Sequence, residues 1–286
     1  MSKTAVVTDS IACLTKEHAQ KYGIRIVPIN IFFEGKIYRD WIDLTAAEAY
    51  KFLDKAPQFW KSSAPSPEEF LKAYQELSKY AQNILVITLS SKLSMCYSSA
   101  QTAKETAKEQ LPQVTVEVID SETVTAAEGL IALAAARADA EGKAFADVIA
   151  TAQKAKEHVK FVCLLETTRH VYRTGRIPKI ASQIGSVLPV KPILTVSHGL
   201  VRFVNASRTK PNGIEKMLRM MREQVGTSEP IHVAVMHADA LKEAQELKER
   251  IAKEFNCAEL FITDFSPIMG YATGRGTLGL AFYKSL

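Results

Sequence analysis

Small hydroxyl residues collect at four points in the first half of the chain. Thr8-Asp9-Ser10 follows the apolar Ala5-Val6-Val7, and Ser62-Ser63-Ala64-Pro65-Ser66 leads into a helical pattern. Ser90-Ser91-Lys92-Leu93-Ser94 follows the apolar run 84–87, and Asp120-Ser121 follows 114–119. Hydroxyls and free helix amides suit a carboxylate or phosphate, and the helix dipole adds attraction. A single serine in such a place is most often a helix cap. Loops that follow parallel strands meet in one crevice beyond the strand carboxyl ends, and that convergence points to a polar anchor for an anionic head group.

Other patterns carry less. Gly274-Arg275-Gly276-Thr277-Leu278-Gly279 has the glycine spacing of a dinucleotide-binding turn, but seven strand-like residues follow where that motif needs a helix. A Gly-rich turn permitting close backbone approach is the expectation. The chain has no GxSxG elbow, and none of its six histidines (His18, His158, His170, His198, His232, His237) is tied by spacing to the serine loops. His237-Ala238-Asp239 is read as a helix start capped by Asp239, not as a metal site. No catalytic residue and no metal ligand set is assigned. Arg169, Arg173 and Arg176 fall at i, i+4 and i+7, and Arg208 with Lys210 forms a second basic point. Guanidinium forks suit carboxylate or phosphate recognition, and a solvated face is the equal alternative.

The elements that must position these residues alternate in the first half. Strands are predicted at 4–8, 25–33, 84–89, 114–119 and 160–165, with helices at 45–54, 67–80, 92–111, 124–141 and 144–157. Thr45–Glu48, Ser66–Glu69 and Thr125–Glu128 have capping-box spacing, and Pro67 suits a first helical position. The second half reads differently: helices at 166–174 and 179–186, a hairpin turning at Ser197-His198-Gly199, helices at 212–225 and 239–255, and strands at 231–236 and 258–263. The expected fold is α/β in two domains with the ligand site between them. Residues 1–163 would form a mainly parallel sheet covered by helices, and residues 164–286 a mixed-sheet α+β domain.

The chain has 286 residues, 47% of them hydrophobic and 23% charged, as in globular proteins. Its four cysteines form no CxxC pair, so a reducing cytoplasm is the expected location, and no apolar run approaches membrane-spanning length. Residues 164–286 hold 17 Lys and Arg against 11 Asp and Glu, a positive field that would favour an anionic ligand or acidic partner. Nucleic acid is disfavoured, since the aromatics are not interleaved with the basic residues.

In this order the pieces resemble the DegV family, which includes the fatty-acid-binding subunits of bacterial fatty acid kinase. The resemblance spans nearly the whole chain. It rests on Thr8-Asp9-Ser10, residues 62–66, residues 89–94, Asp120-Ser121, Thr174-Gly175-Arg176-Ile177 and Thr273-Gly274-Arg275-Gly276. It implies a cytoplasmic lipid-binding carrier, not itself an enzyme, with one long-chain fatty acid such as palmitate in an apolar tunnel between two domains. The carboxylate would be held by Ser62 and Ser94 with Ser63 nearby. Arg173, Arg176 and Arg208 would face the head group or the ATP-binding kinase subunit that forms the acyl phosphate. No cofactor beyond the bound acid is implied, and a monomer is expected. Two positions depart from the family pattern. Met95-Cys96 stands where Gly-Thr is common, removing one hydroxyl, and Ala272 replaces the family histidine. The alternative from another class is a hydrolase or transferase acting on acyl or phosphoryl esters through an active-site serine. A polyanion-binding module is a weaker third.

Overall fold

The structure is a computed structural model that describes residues 4–55, 60–167, 175 and 190–286. Four strands, β1 (Thr4–Asp9), β2 (Arg25–Val27), β6 (Asn83–Thr88) and β7 (Thr115–Asp120), pair in parallel in the order β2-β1-β6-β7. β1 is buried along its whole length, so its side chains alternate between two cores and not between core and solvent. Ala5 and Val7 face one side, where α3 (Pro67–Leu77) and α4 (Cys96–Gln110) pack through Phe70, Tyr74, Ala100 and Ala103. Val6 faces the other side and α5 (Ala126–Ala140).

A second sheet of six strands is mixed. Its order is β10 (Leu200–Ser207), β9 (Lys191–Ser197), β8 (Lys160–Leu164), β13 (Leu278–Lys284), β11 (Ile231–His237), β12 (Cys257–Asp264). Only β11 and β12 run parallel. Helices α7 (Lys210–Val225) and α8 (Leu241–Glu254) cover one face through Met217, Leu218, Leu247 and Ile251. Between the sheets lies α5, whose Leu130, Ile131 and Leu133 share a core with Leu85 and Ile87 of β6 and Ala281 and Tyr283 of β13. A helix apolar on all sides belongs in that position, not at a surface. Helix α6 (Phe145–His158) joins the same core through Val148, Ala152 and Ala155.

Several expectations are corrected. The run 25–33 is two strands, because Pro28 offers no N–H to continue the ladder. Beyond it β3 (Asn30–Phe33) leaves the parallel sheet and pairs antiparallel with β4 (Lys36–Arg39) and β5 (Lys61–Ser63). The helix expected from 92 begins at Cys96, since residues 90–94 form a turn closed by Ser94 N–H to the Ser90 carbonyl. The boxes at Thr45–Glu48 and Ser66–Glu69 form as read, with Pro67 at the first turn. Thr125–Glu128 does not. Thr125 has φ 59° and donates to the Val124 carbonyl, while Glu128 is wholly buried and accepts from Thr8 Oγ1 at 2.8 Å.

Asp239 does not cap α8. It takes φ 51° and lies 3.3 Å from Arg275, and the Ala240 N–H is met by His237 Nδ1 at 3.4 Å. Within the Gly-rich stretch a short helix, α9 (Pro267–Thr273), forms behind a Ser266 cap. The glycine turn that follows, with Gly274 at φ 86° and Gly276 at φ 81°, connects α9 to β13 as a turn. Helix α2 (Ala46–Lys55) matches its expected span. The expected helices at 166–174 and 179–186 fall on residues outside those described, apart from 166 and 167.

Candidate functional site

The loops that follow the parallel strands do meet. Asp9, ending β1, accepts from the Leu89 N–H beyond β6 at 2.9 Å, and Ser90 N–H donates to the Thr123 carbonyl beyond β7 at 2.9 Å. Beside them opens an apolar cavity. Its walls are Ile11 after β1, Leu89 and Leu93 after β6, Val124 after β7, Ile29 before β3, and Val201 on β10, with Ile268, Met269 and Ala272 of α9 closing one side. Ser62, Ser63 and Ser94 supply its hydroxyls, and Ala64 lies beside them. The same three serines border a shallower groove reaching outward past Ser66, Ser91, Lys92 and Ser99. The cavity therefore has grease inside and hydroxyls at its mouth.

Each serine is placed by local structure. Ser62 sits on β5 opposite Ile31 of β3, half-buried, with Ser63 exposed next to it. Ser94 lies two residues before the start of α4; its Oγ accepts from the Cys96 N–H at 3.4 Å and lies 3.2 Å from Cys96 Sγ. Met95, the residue before α4, makes no side-chain cap, and Ser94 Oγ is the hydroxyl that meets the first helix N–H. Ser90 and Ser121 have a different duty. Ser90 is fully buried, and its Oγ donates to the Gly199 carbonyl at 2.8 Å. Ser121 closes a turn through the Thr123 N–H.

The hairpin read at Ser197-His198-Gly199 forms with positive φ at both His198 (50°) and Gly199 (74°), the tight turn that suits twisted strands. Its tip rests on the serine loop: Lys92 Nζ donates to the His198 carbonyl at 2.8 Å, and a Cβ on Gly199 would stand 2.6 Å from Ser90 Oγ. This docking sets Val201 against the cavity.

Below the cavity lie three carboxyls with no solvent exposure, Asp9, Asp40 and Glu128. Burial pushes Asp9 up to about 6, against the lowering effect of the Leu89 and Ile11 N–H groups. Burial likewise pushes Asp40 up to about 7, and Glu128, buried and beside Asp9, is raised well above the ordinary carboxyl range.

Helix α9 reaches the site because Gly270 lets it pack on Tyr50 of α2. A Cβ there would lie 2.4 Å from the Tyr50 Oη and 2.8 and 2.9 Å from its ring carbons. Gly270→Ala is expected to cost about 1–3 kcal/mol of stability, read by urea unfolding.

Of the expected site residues, Ser62, Ser63 and Ser94 come together in one cavity. Arg208 does not join them; it is exposed just past the far end of β10, about 23 Å along the strand from Val201. Arg173 and Arg176 lie outside the described residues. Sequence reasoning missed α9 as a wall, although Ser266-Pro267 is a helix-start signal. It also missed Lys92 and Asp40, which no spacing singles out. Among the described residues no group of three or more His, Cys, Asp or Glu could hold a metal ion, and no helix is long and apolar enough to cross a membrane.

A parallel and a mixed sheet with a hydroxyl-rimmed apolar cavity beside their loops define an α/β protein. The chain belongs to the DegV family, described as uncharacterised proteins, whose model matches residues 3–285. A DegV domain-containing protein of Clostridium perfringens is 30% identical over 279 residues, covering 98% of each chain. Protein DegV of Bacillus subtilis is 29% identical, covering 97% of this chain and 98% of its own. Among solved structures, that of B. subtilis DegV, described as a fatty acid binding protein, superposes with a TM-score of 0.89 at 29% identity over the full length of both chains. A Thermus thermophilus DegV family protein, described by its fatty acid binding, gives 0.90 at 26% identity over 99% of this chain and 100% of its own.

Proposed function

We propose that this protein binds a long-chain fatty acid, its tail in the apolar cavity and its carboxylate held by the hydroxyls of Ser62, Ser63 and Ser94. It then carries the acid or presents it to a separate kinase subunit that forms the acyl phosphate. The observation that carries this reading is the cavity itself, in which apolar walls end at three serines. The fatty acid binding described for the B. subtilis and T. thermophilus relatives supports it. Each buried methylene contributes about 0.8 kcal/mol, so the tail dominates affinity and neutral hydroxyls need only orient the head. The cavity is narrow, ≈ 120 Å³, so a long tail enters as pliable side chains such as Met269 turn aside. Arg173, Arg176 and Arg208 are proposed for the kinase-facing surface.

Extraction of the denatured protein followed by mass spectrometry should release a fatty acid, and the emptied protein should take up palmitate or oleate. Absence of both, no released lipid and no uptake of palmitate or oleate, would overturn the reading. Ser94→Ala is expected to weaken palmitate binding about 10- to 100-fold, the loss of one hydrogen bond to a charged group, with the fold intact by circular dichroism. Turnover of an acyl ester by the purified protein alone, lost in that variant, would favour the serine hydrolase instead.

A further inference from the structure

The buried acids do more than fill space, because their partners are the backbone of the cavity wall. Asp9 accepts from the N–H of Ile11 at 3.0 Å through one oxygen and from that of Leu89 at 2.9 Å through the other. Asp40 accepts from Ser10 Oγ at 2.7 Å and from the N–H of Ile268 at 3.2 Å. Ser10 Oγ in turn accepts from the N–H of Ile29 at 3.0 Å, and the Asp40 N–H donates to the Ile29 carbonyl at 2.9 Å. Ile11, Leu89, Ile29 and Ile268 all line the cavity. They come from four separate elements: the turn after β1, the turn after β6, the residue before β3, and α9.

We propose that Asp9 and Asp40, with Ser10 as relay, are positioning residues that set the spacing of the cavity walls and so decide which acyl chains fit. The inference rests on the functional reading above and adds specificity to it. A buried carboxylate is a poor choice for stability alone, since apolar side chains of similar volume often do as well or better. What a carboxylate does and an apolar group cannot is accept two N–H or O–H groups from different elements at fixed angles. Asp40 joins Ser10, in the turn after β1, to Ile268 of α9, which lies 228 positions from Asp40 in sequence. Asp9 does the same for the turns after β1 and β6, and Ser10 ties the segment before β3 to Asp40.

The test uses the full-length protein and compares Asp40→Asn and Ser10→Ala with wild type. Dissociation constants are measured for laurate, myristate, palmitate and stearate, with circular dichroism and melting temperature recorded alongside. Asparagine keeps the volume of Asp40 but turns one acceptor into a donor. Ser10→Ala removes a single oxygen and no charge, so it keeps the test decisive if Asp40→Asn fails to fold. The wild type should prefer one chain length. Each folded variant should lose about tenfold in affinity for that acid, a shift of about 1.4 kcal/mol, and bind the four acids with nearly equal strength. A lowered melting temperature with the same order and spread of affinities would show a merely structural role and overturn the inference alone. A wild type that takes up none of the four would overturn the functional reading and this inference with it.

Discussion

Ala272→Trp is expected to abolish measurable binding of long-chain fatty acids while leaving the protein folded. Ala272 is half-buried on α9 and forms part of the cavity wall with Met269 and Ile268. An indole there occupies space now open, so the change fills a cavity instead of overpacking a closed core. If it excludes four methylenes of the tail, the loss is about 3 kcal/mol, or a few-hundred-fold in affinity. Titration with palmitate reads the effect, and a thermal melt confirms the fold. Binding within threefold of wild type would show that the tail does not run along α9.

The second large effect concerns stability. Glu259→Ala should destabilise the protein by about 2–3 kcal/mol, below the usual range for broken buried ion pairs because the site is partly exposed. Glu259 on β12 sits among groups from three other elements: His18 Nε2 of α1 (Lys16–Lys21) at 3.5 Å, His232 Nδ1 of β11 at 3.2 Å, and the Arg137 guanidinium of α5. Burial alone would raise its carboxyl, but hydrogen bonds from His18 and His232 and the charge of Arg137 hold it well below the usual value of 4.5. A depressed carboxyl contributes stability that is fully present above its unfolded value and lost as pH falls through the folded one. Urea unfolding curves should therefore separate wild type from Glu259→Gln above about pH 5 and bring them together progressively in stronger acid. A gap that persisted undiminished into strong acid would rule out this carboxylate as its source.

The parallel half was legible because its strands are continuous apolar runs and two of its helices carry intact capping boxes. Legibility failed where a distant partner overrode a local signal. Thr125 and Glu128 have the spacing of a cap, yet burial against Thr8, 120 residues away, claims the glutamate for the interior. Asp239 precedes a helix as a cap would, but Arg275 draws it aside. The small antiparallel sheet was hidden because Pro28 divides a run whose two halves have the same composition. For the site, Ser62, Ser63 and Ser94 were singled out through family resemblance, Ser94 also by its place after a strand and Ser62 and Ser63 by theirs before a helix. Asp40 offered nothing to read: it is one aspartate in a connecting segment, and its meaning lies in partners 30 and 228 positions away.

Helix α5, apolar all round and pressed between both sheets, has a consequence for anyone wishing to cut the molecule. Its Leu130 and Ile131 belong to neither layer alone, so a fragment ending before β8 would carry one flank of that rod bare to water. Such a truncated piece should clump, not dissolve, and the remainder would lack the plug its inner surface was shaped around.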